Sequence, residues 1–207
     1  MIEKSSCPGL LSRTVFALAV IILLTVKPAH AQVTITFDDL TTTTYAPIPN
    51  GYNGFDWRNF YVINPSFTLG SNGYKNGVYT TPNDAFNGGG AQASITSSTP
   101  FTLDSAYFTA AWSNGLNISI EGYNGATLVD SITLVTDTTG PTFTTFNWNG
   151  ITEVVFDSSG GTDAGYGGKG DNFAMDNLVV TSTPEPPTLF LFVGAILLLG
   201  MKVLRAR

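Results

Sequence analysis

The stretch "LNISIEGY", residues 116–123, decides the fold class. Leu116, Ile118 and Ile120 fall on one side, while Asn117, Ser119, Glu121 and Tyr123 fall on the other. A repeat of two is the signature of a strand with one buried face, because successive side chains point to opposite sides of a pleated backbone. A helix would return an apolar residue every three or four positions. The same habit extends outward in both directions. It appears in "VTITF" (33–37), "FDWRNFYVI" (55–63), "ASITS" (93–97) and "SAYFTAAW" (105–112). It continues in "ATLVDSITLV" (126–135), "PTFTTFNW" (141–148), "ITEVVFD" (151–157) and "FAMDNLVV" (173–180). No sustained helical periodicity separates them.

Turn chemistry punctuates these runs. Asn-Gly pairs stand at 50–51, 53–54, 72–73, 76–77, 114–115, 124–125 and 149–150, and both residues tolerate the positive φ angles of tight hairpins. Eight or nine short strands joined in this way predict an all-β chain folded as a jelly-roll-like two-sheet β-sandwich.

The ends of the chain read differently. Lys4 and Arg13 precede a 12-residue apolar block, Val15–Val26, and Ala29-His30-Ala31 offers a small-x-small exit. Together these predict a secretory signal peptide over residues 1–31, since a spanning helix needs about 20 apolar residues. Removing it takes away Cys7 and His30, the single cysteine and single histidine of the chain. The mature chain then has no disulfide, no thiol or imidazole nucleophile and no zinc site of the usual kind. At the other end, a 13-residue uncharged run, Leu189–Met201, leads to Lys202, Arg205 and Arg207. The run alone is short of a span, but Pro187, Thr188 and residues 202–204 extend it and Lys202 can snorkel. This predicts a single C-terminal transmembrane helix with its basic tail in the cytoplasm and the body of the protein outside. Residues 182–207 are thus set apart from a sandwich domain spanning 32–181.

That domain is acidic. Between Gln32 and Thr183, 13 acids face three bases, Arg58, Lys75 and Lys169, for a net charge of −10. Such a surface repels nucleic acid and anionic lipid and suits cations or plain solubility.

Pro184-Glu185-Pro186, the apolar run from Leu189 and the terminal "RAR" occur in that order and together resemble the PEP-CTERM sorting signal of Gram-negative bacteria. The resemblance covers only about the last 25 residues, and the basic residues are more scattered than an arginine cluster. It implies transient anchoring in the inner membrane, processing by an exosortase, and release to the cell surface or extracellular matrix, often alongside exopolysaccharide. The region from "FDDL" to "AMDNL", through "IPNGYNGFDWRNFYVIN" and "YFTAAWSNGLNISIEGY", resembles a group of secreted β-domains with no established activity.

Four chemistries are weighed on the domain. A structural Ca²⁺ site is expected from Asp38 and Asp39 at the end of the first strand with Asp171 and Asp176 at the last, because first and last strands often meet and Ca²⁺ takes six to eight oxygens. The competing reading makes these residues turn and cap formers. Sugar recognition is expected from Tyr52, Tyr74, Tyr123 and Tyr166, all beside glycine at turns, whereas Trp57, Trp112 and Trp148 are assigned to the core. Gly165, Gly167 and Gly170 spell G-x-G-x-x-G, but a strand follows them rather than a helix, so no nucleotide site is expected. Glu121 and Glu153 lie on polar strand faces without the spacing of a glycosidase pair. The sequence therefore predicts a non-catalytic adhesion or exopolysaccharide-binding module. The alternatives are a calcium-dependent glycan hydrolase or lyase, or a passive surface protein.

Overall fold

The computed structural model describes residues 31–40 and 44–182. The leader up to His30, the Pro184-Glu185-Pro186 motif and the C-terminal apolar run lie outside the described residues.

The described chain is built of antiparallel strands with little helix. In order these are β1 (Ala31–Ile35), β2 (Tyr45–Pro47), β3 (Asp56–Arg58), β4 (Phe60–Ile63), β5 (Asp84–Asn87), β6 (Ala93–Ala110), β7 (Ser113–Asn114), β8 (Leu116–Asn124), β9 (Thr127–Thr136), β10 (Thr142–Ser159), β11 (Thr162–Asp163) and β12 (Phe173–Ser182). Between β4 and β5 lie a 3-10 turn over Pro65–Phe67 and one α-helical turn, α1 (Gly73–Gly77). The hydrogen-bonded order is β2-β4-β5-β12-β6-β10-β8-β9, with β1 beside β12 and β3 beside β6. This all-β, antiparallel arrangement is consistent with a β-sandwich.

Two strands are much longer than the short segments read from the sequence. "ASITS" and "SAYFTAAW" join in the 18-residue β6, and "PTFTTFNW" and "ITEVVFD" join in the 18-residue β10. The two pair over Thr142–Thr145 with Phe108–Ser105 and again over Glu153–Phe156 with Thr96–Ala93. Between these blocks the register shifts, and Asn147 and Gly150 take positive φ. Extra residues there bend both strands without ending them. The pair Asn149-Gly150 thus marks a bulge; of the Asn-Gly pairs, 124–125 supplies the expected hairpin, between β8 and β9. Asn72-Gly73 caps α1, its side chain accepting from Lys75 N at 3.0 Å.

The opposite error occurs in "FDWRNFYVI". Asn59 takes φ 56° and splits it, so β3 pairs with β6 while β4 pairs with β2 and β5. The Asn59 amide donates to the carbonyls of Gly88, Ala91 and Gln92 at 3.0 to 3.4 Å. A left-handed residue is tolerated here because its side chain binds the neighbouring turn.

The main core collects Ile118 and Ile120 with Phe108, Phe156, Phe173 and Trp57. Phe108 lies 6.2 Å from Phe146, 6.2 Å from Phe156 and 5.9 Å from Phe173, centroid to centroid. A second, smaller cluster lies on the other face of β4, β5 and β12. It comprises Ile63, Tyr74, Phe86, Ala111 and Ala174, with Tyr61 and Trp112 against it. The segment that carries α1 covers part of this face, and Gly73 makes the close approach possible. A Cβ at Gly73 would sit 1.7 Å from the Ala110 carbonyl oxygen. Gly73→Ala is therefore expected to push α1 off the sheet and cost about 1–3 kcal/mol, as overpacking does, read as a lower urea midpoint than wild type.

Candidate functional site

The second cluster opens into a cavity of about 490 Å³, within the roughly 300–1,000 Å³ range of small-molecule sites. Its wall is a chain of rings. Tyr45 on β2 stands 61% exposed, its ring 6.2 Å from Tyr61 and 6.1 Å from Phe86. Tyr61 and Phe86 are 5.5 Å apart. Tyr74 on α1 follows, 5.3 Å from Phe86 and 5.6 Å from Trp112. Asn59, Thr44, Thr68 and the backbone of Gly88 and Gly89 complete the lining with Ile63, and no lining residue carries a formal charge.

Local sequence explains this placement. Alternation along β4 sends Phe60 and Val62 to the main core and Tyr61 and Ile63 to the cavity face. β5 turns away through Gly88-Gly89-Gly90. A Cβ at Gly88 would meet Asn59 Oδ1 and the Tyr61 ring, each at 2.5 Å, so glycine lets the turn close onto the cavity rim.

The four tyrosines expected to bind sugar are scattered. Tyr74 lines the cavity, though it is buried rather than at an exposed tip. Tyr52 packs on Trp57 and Phe37 and donates to Asp39 Oδ1 at 2.5 Å. Tyr123 donates to Glu121 Oε2. Tyr166 is half-buried on the glycine-rich loop and does not line the cavity. Trp57 and Trp148 are buried in the core as expected, but Trp112 is not. Strand β6 ends at Ala110, so Trp112 escapes the alternation that sends Phe108 and Ala110 inward and joins the cavity wall instead. Tyr45, Tyr61, Phe86 and Asn59 were not singled out by the sequence reading. The available signal was the aromatic pair in "NFYVI" (59–63) facing "AFNGGG" (85–90).

The expected metal ligands also separate. Asp39 is held by Tyr52. Asp171 lies against Gly90, its carbonyl accepting from Ser158 Oγ. Asp38 and Asp176 do come within electrostatic reach of each other. Asp38 Oδ1 accepts from Asn83 N at 3.0 Å. Asp176 accepts from Tyr79 N at 2.7 Å and Thr80 N at 2.8 Å, which ties the α1 segment to β12. Among the described residues no group of three or more His, Cys, Asp or Glu side chains is arranged to hold a metal ion. The G-x-G-x-x-G stretch leads from β10 past β11 into β12, and Gly168 presses on the Trp112 ring.

Two phenols, Tyr74 in the cavity wall and Tyr52 beside Trp57, are pushed above the usual tyrosine range. Burial is the larger cause for both, followed by the Asp84 charge for Tyr74 and the Asp39 hydrogen bond and charge for Tyr52.

What fold and cavity define is an antiparallel all-β domain with an uncharged, aromatic-walled cavity on one sheet face. No protein-family model matches the chain, and no curated protein sequence does. Solved structures resemble part of it, two of them as follows. The arabinose-bound MgGH51 α-L-arabinofuranosidase is 14% identical, with a TM-score of 0.40 over 72% of this chain and 26% of that one. TmCBM61 in complex with β-1,4-galactotriose is 9% identical, with a TM-score of 0.35 over 69% of this chain and 100% of that one. The chain spans about a quarter of the arabinofuranosidase's length. Likenesses this distant carry no weight for fold or function.

The raised phenols give a sign for alkaline stability. A folded-state pKa above the unfolded value contributes stability that is complete below the unfolded pKa of about 10 and is lost as pH rises through the folded one. The urea midpoint should therefore fall between about pH 9 and about pH 11, and Tyr74→Phe should fall less over that interval than wild type.

Proposed function

We propose that this domain is a non-catalytic carbohydrate-binding module that takes a neutral sugar in the aromatic cavity. The observation that carries the reading is the composition of the wall: exposed and half-exposed rings beside Asn59, Thr68 and backbone polar groups, with no charge among them. Sugars present flat C–H faces that suit aromatic rings and hydroxyls that suit amides and carbonyls. An uncharged lining within an acidic domain gives a uronate no counter-charge. Glu121 and Glu153, the two glutamates of the domain, stay half-exposed on the outer faces of β8 and β10, away from the cavity, which favours binding over hydrolysis.

Delivery belongs to the same proposal. The signal peptide exports the chain, the C-terminal helix holds it briefly in the inner membrane, and an exosortase cuts near Pro184-Glu185-Pro186. The module is thereby placed on the cell surface or in the extracellular matrix, where exopolysaccharide is its natural partner.

A glycan array probed with the purified protein tests the binding. Neutral oligosaccharides should be retained and uronic acid polymers should not. Tyr45→Ala and Tyr61→Ala should each weaken binding about tenfold, equivalent to about 1.4 kcal/mol and the scale expected for one lost ring contact. Retention of no glycan would favour a passive surface protein. Release of reducing ends from a retained polymer would favour the hydrolase.

Sorting is tested separately. Mass spectrometry of the protein recovered from its own cells should find a C-terminus close to Pro184. An intact chain ending at Arg207 would overturn exosortase processing.

A further inference from the structure

Beneath the α1 segment lies a group that the cavity does not use. Asp84, the first residue of β5, is fully buried, and neither of its carboxyl oxygens has a hydrogen-bond partner. The next residue toward the N-terminus, Asn83, is also buried, and its Oδ1 is likewise without a partner. The Asn83 amide nitrogen is occupied, donating to the carbonyls of Phe37 at 2.9 Å and Leu40 at 2.7 Å. Three orphaned acceptor oxygens on adjacent residues stand out against the usual rule that buried polar atoms find partners.

The surroundings sharpen the anomaly. Met175 and Ala174 on β12 pair with Ala85 and Phe86 on β5. Continuing that register one step sets Asp176 opposite Asp84 on the same face, where neighbouring Cβ atoms lie about 5 Å apart. The two carboxylates are treated unequally. Asp176 accepts from Tyr79 N, Thr80 N, Thr80 Oγ1 and Asn177 N, whereas Asp84 accepts from no other residue. The charges that act on the pair are further carboxylates: Asp176 acts on Asp84, and Asp38 acts on Asp176. Burial and this like charge both drive the Asp84 carboxyl well above the ordinary range. Two adjacent anions in a dry interior are strongly unfavourable, and either a proton or a cation must relieve them.

We infer that Asp84 and Asp176 form the acidic half of a buried Ca²⁺ site beneath the α1 segment. The donors are all hard oxygens, as Ca²⁺ requires: two carboxylates, with Thr80 Oγ1 a neutral oxygen 3.3 Å from Asp176 Oδ1. A buried, water-poor position suits Ca²⁺ better than Mg²⁺, which keeps several waters. The site differs from the one the sequence suggested: of those four aspartates only Asp176 is a ligand, and Asp38, Asp39 and Asp171 take no part. Its consequence is mechanical. The ion fixes the backbone of Tyr79 and Thr80 against β12 and so holds the segment bearing Tyr74, whose phenol lies within reach of the Asp84 charge. This inference stands independently of what the cavity binds.

The test uses the purified protein, stripped with chelator and then given calcium chloride or magnesium chloride. Elemental analysis should find one calcium per chain. Calcium should raise the melting temperature by at least about 2 °C, on the scale of a kcal/mol-sized effect in a domain of this size, and magnesium by much less. Asp84→Asn should abolish both the bound calcium and the shift, while Asp171→Asn should keep both. The inference is overturned if wild type binds no calcium and melts at one temperature with calcium or chelator. It is equally overturned if Asp84→Asn keeps the full calcium response. Should Asp84→Asn fail to fold, the wild-type stoichiometry and shift decide alone.

Discussion

Strand β6 is the element on which the other parts depend. It pairs with β10 over both of its halves, with β12 along Phe101–Ala110 and with β3 over Ser94–Thr96. With partners on both edges, its backbone groups are satisfied by neighbours, so its two faces are free to serve two different packing tasks. Phe101, Leu103, Ala106, Phe108 and Ala110 fill the main core. Thr109 and Tyr107 face the other way, toward the segment that carries α1. The bulges opposite β6, at Trp148 and Ile151 of β10, bend the pair and let one strand serve neighbours in two directions.

The outer face is where the chain departs from a simple two-faced sheet. Its strands would ordinarily show polar residues to water, as Asn117, Ser119 and Glu121 do on β8. On β4, β5 and β12 the same positions carry Tyr61, Ile63, Phe86 and Ala174, and the segment between β4 and β5 folds back to cover part of them. It is pinned at several points. Gly73 lies against Ala110, and Gly73 N donates to Ala111 O at 2.9 Å. Asn76 Nδ2 donates to Thr138 O at 2.7 Å, and Asp176 collects Tyr79 and Thr80. The cavity is the part of this apolar face that the segment leaves uncovered. An aromatic surface flanked by a pinned cover keeps its geometry before any ligand arrives, which lowers the entropic cost of binding.

Much of the fold was legible in local patterns. "LNISIEGY" became β8 with Leu116, Ile118 and Ile120 wholly buried, because one buried face is a local property of an alternating strand. The boundaries were less legible. A bulge and a hairpin both want Asn-Gly, so Asn149-Gly150 and Asn124-Gly125 look alike until the partner strand is known. Asn59 looked like one more residue of a strand, yet its side chain had carbonyls to bind 29 or more positions away. Of the site, Tyr74 was legible as an aromatic beside a turn. Tyr61 and Phe86 were not, because strand aromatics fill a core or a binding wall equally well until the opposite face is seen. Asp84 was invisible for a related reason: a lone aspartate in "TPNDAFN" reads as a turn residue, and only the pairing of β5 with β12 buries it beside Asp176.

The sequence by itself determined the alternating strands, the acidic charge of the domain and the absence of cysteine and histidine beyond residue 30. These depend on residue identity and on spacing over a few positions, and no partner is needed to read them. Tertiary structure alone decided which outer face became apolar, which tyrosines share a cavity and which carboxylates meet. Those outcomes depend on register between strands far apart in the chain, and a shift of one residue would exchange every inward and outward side chain.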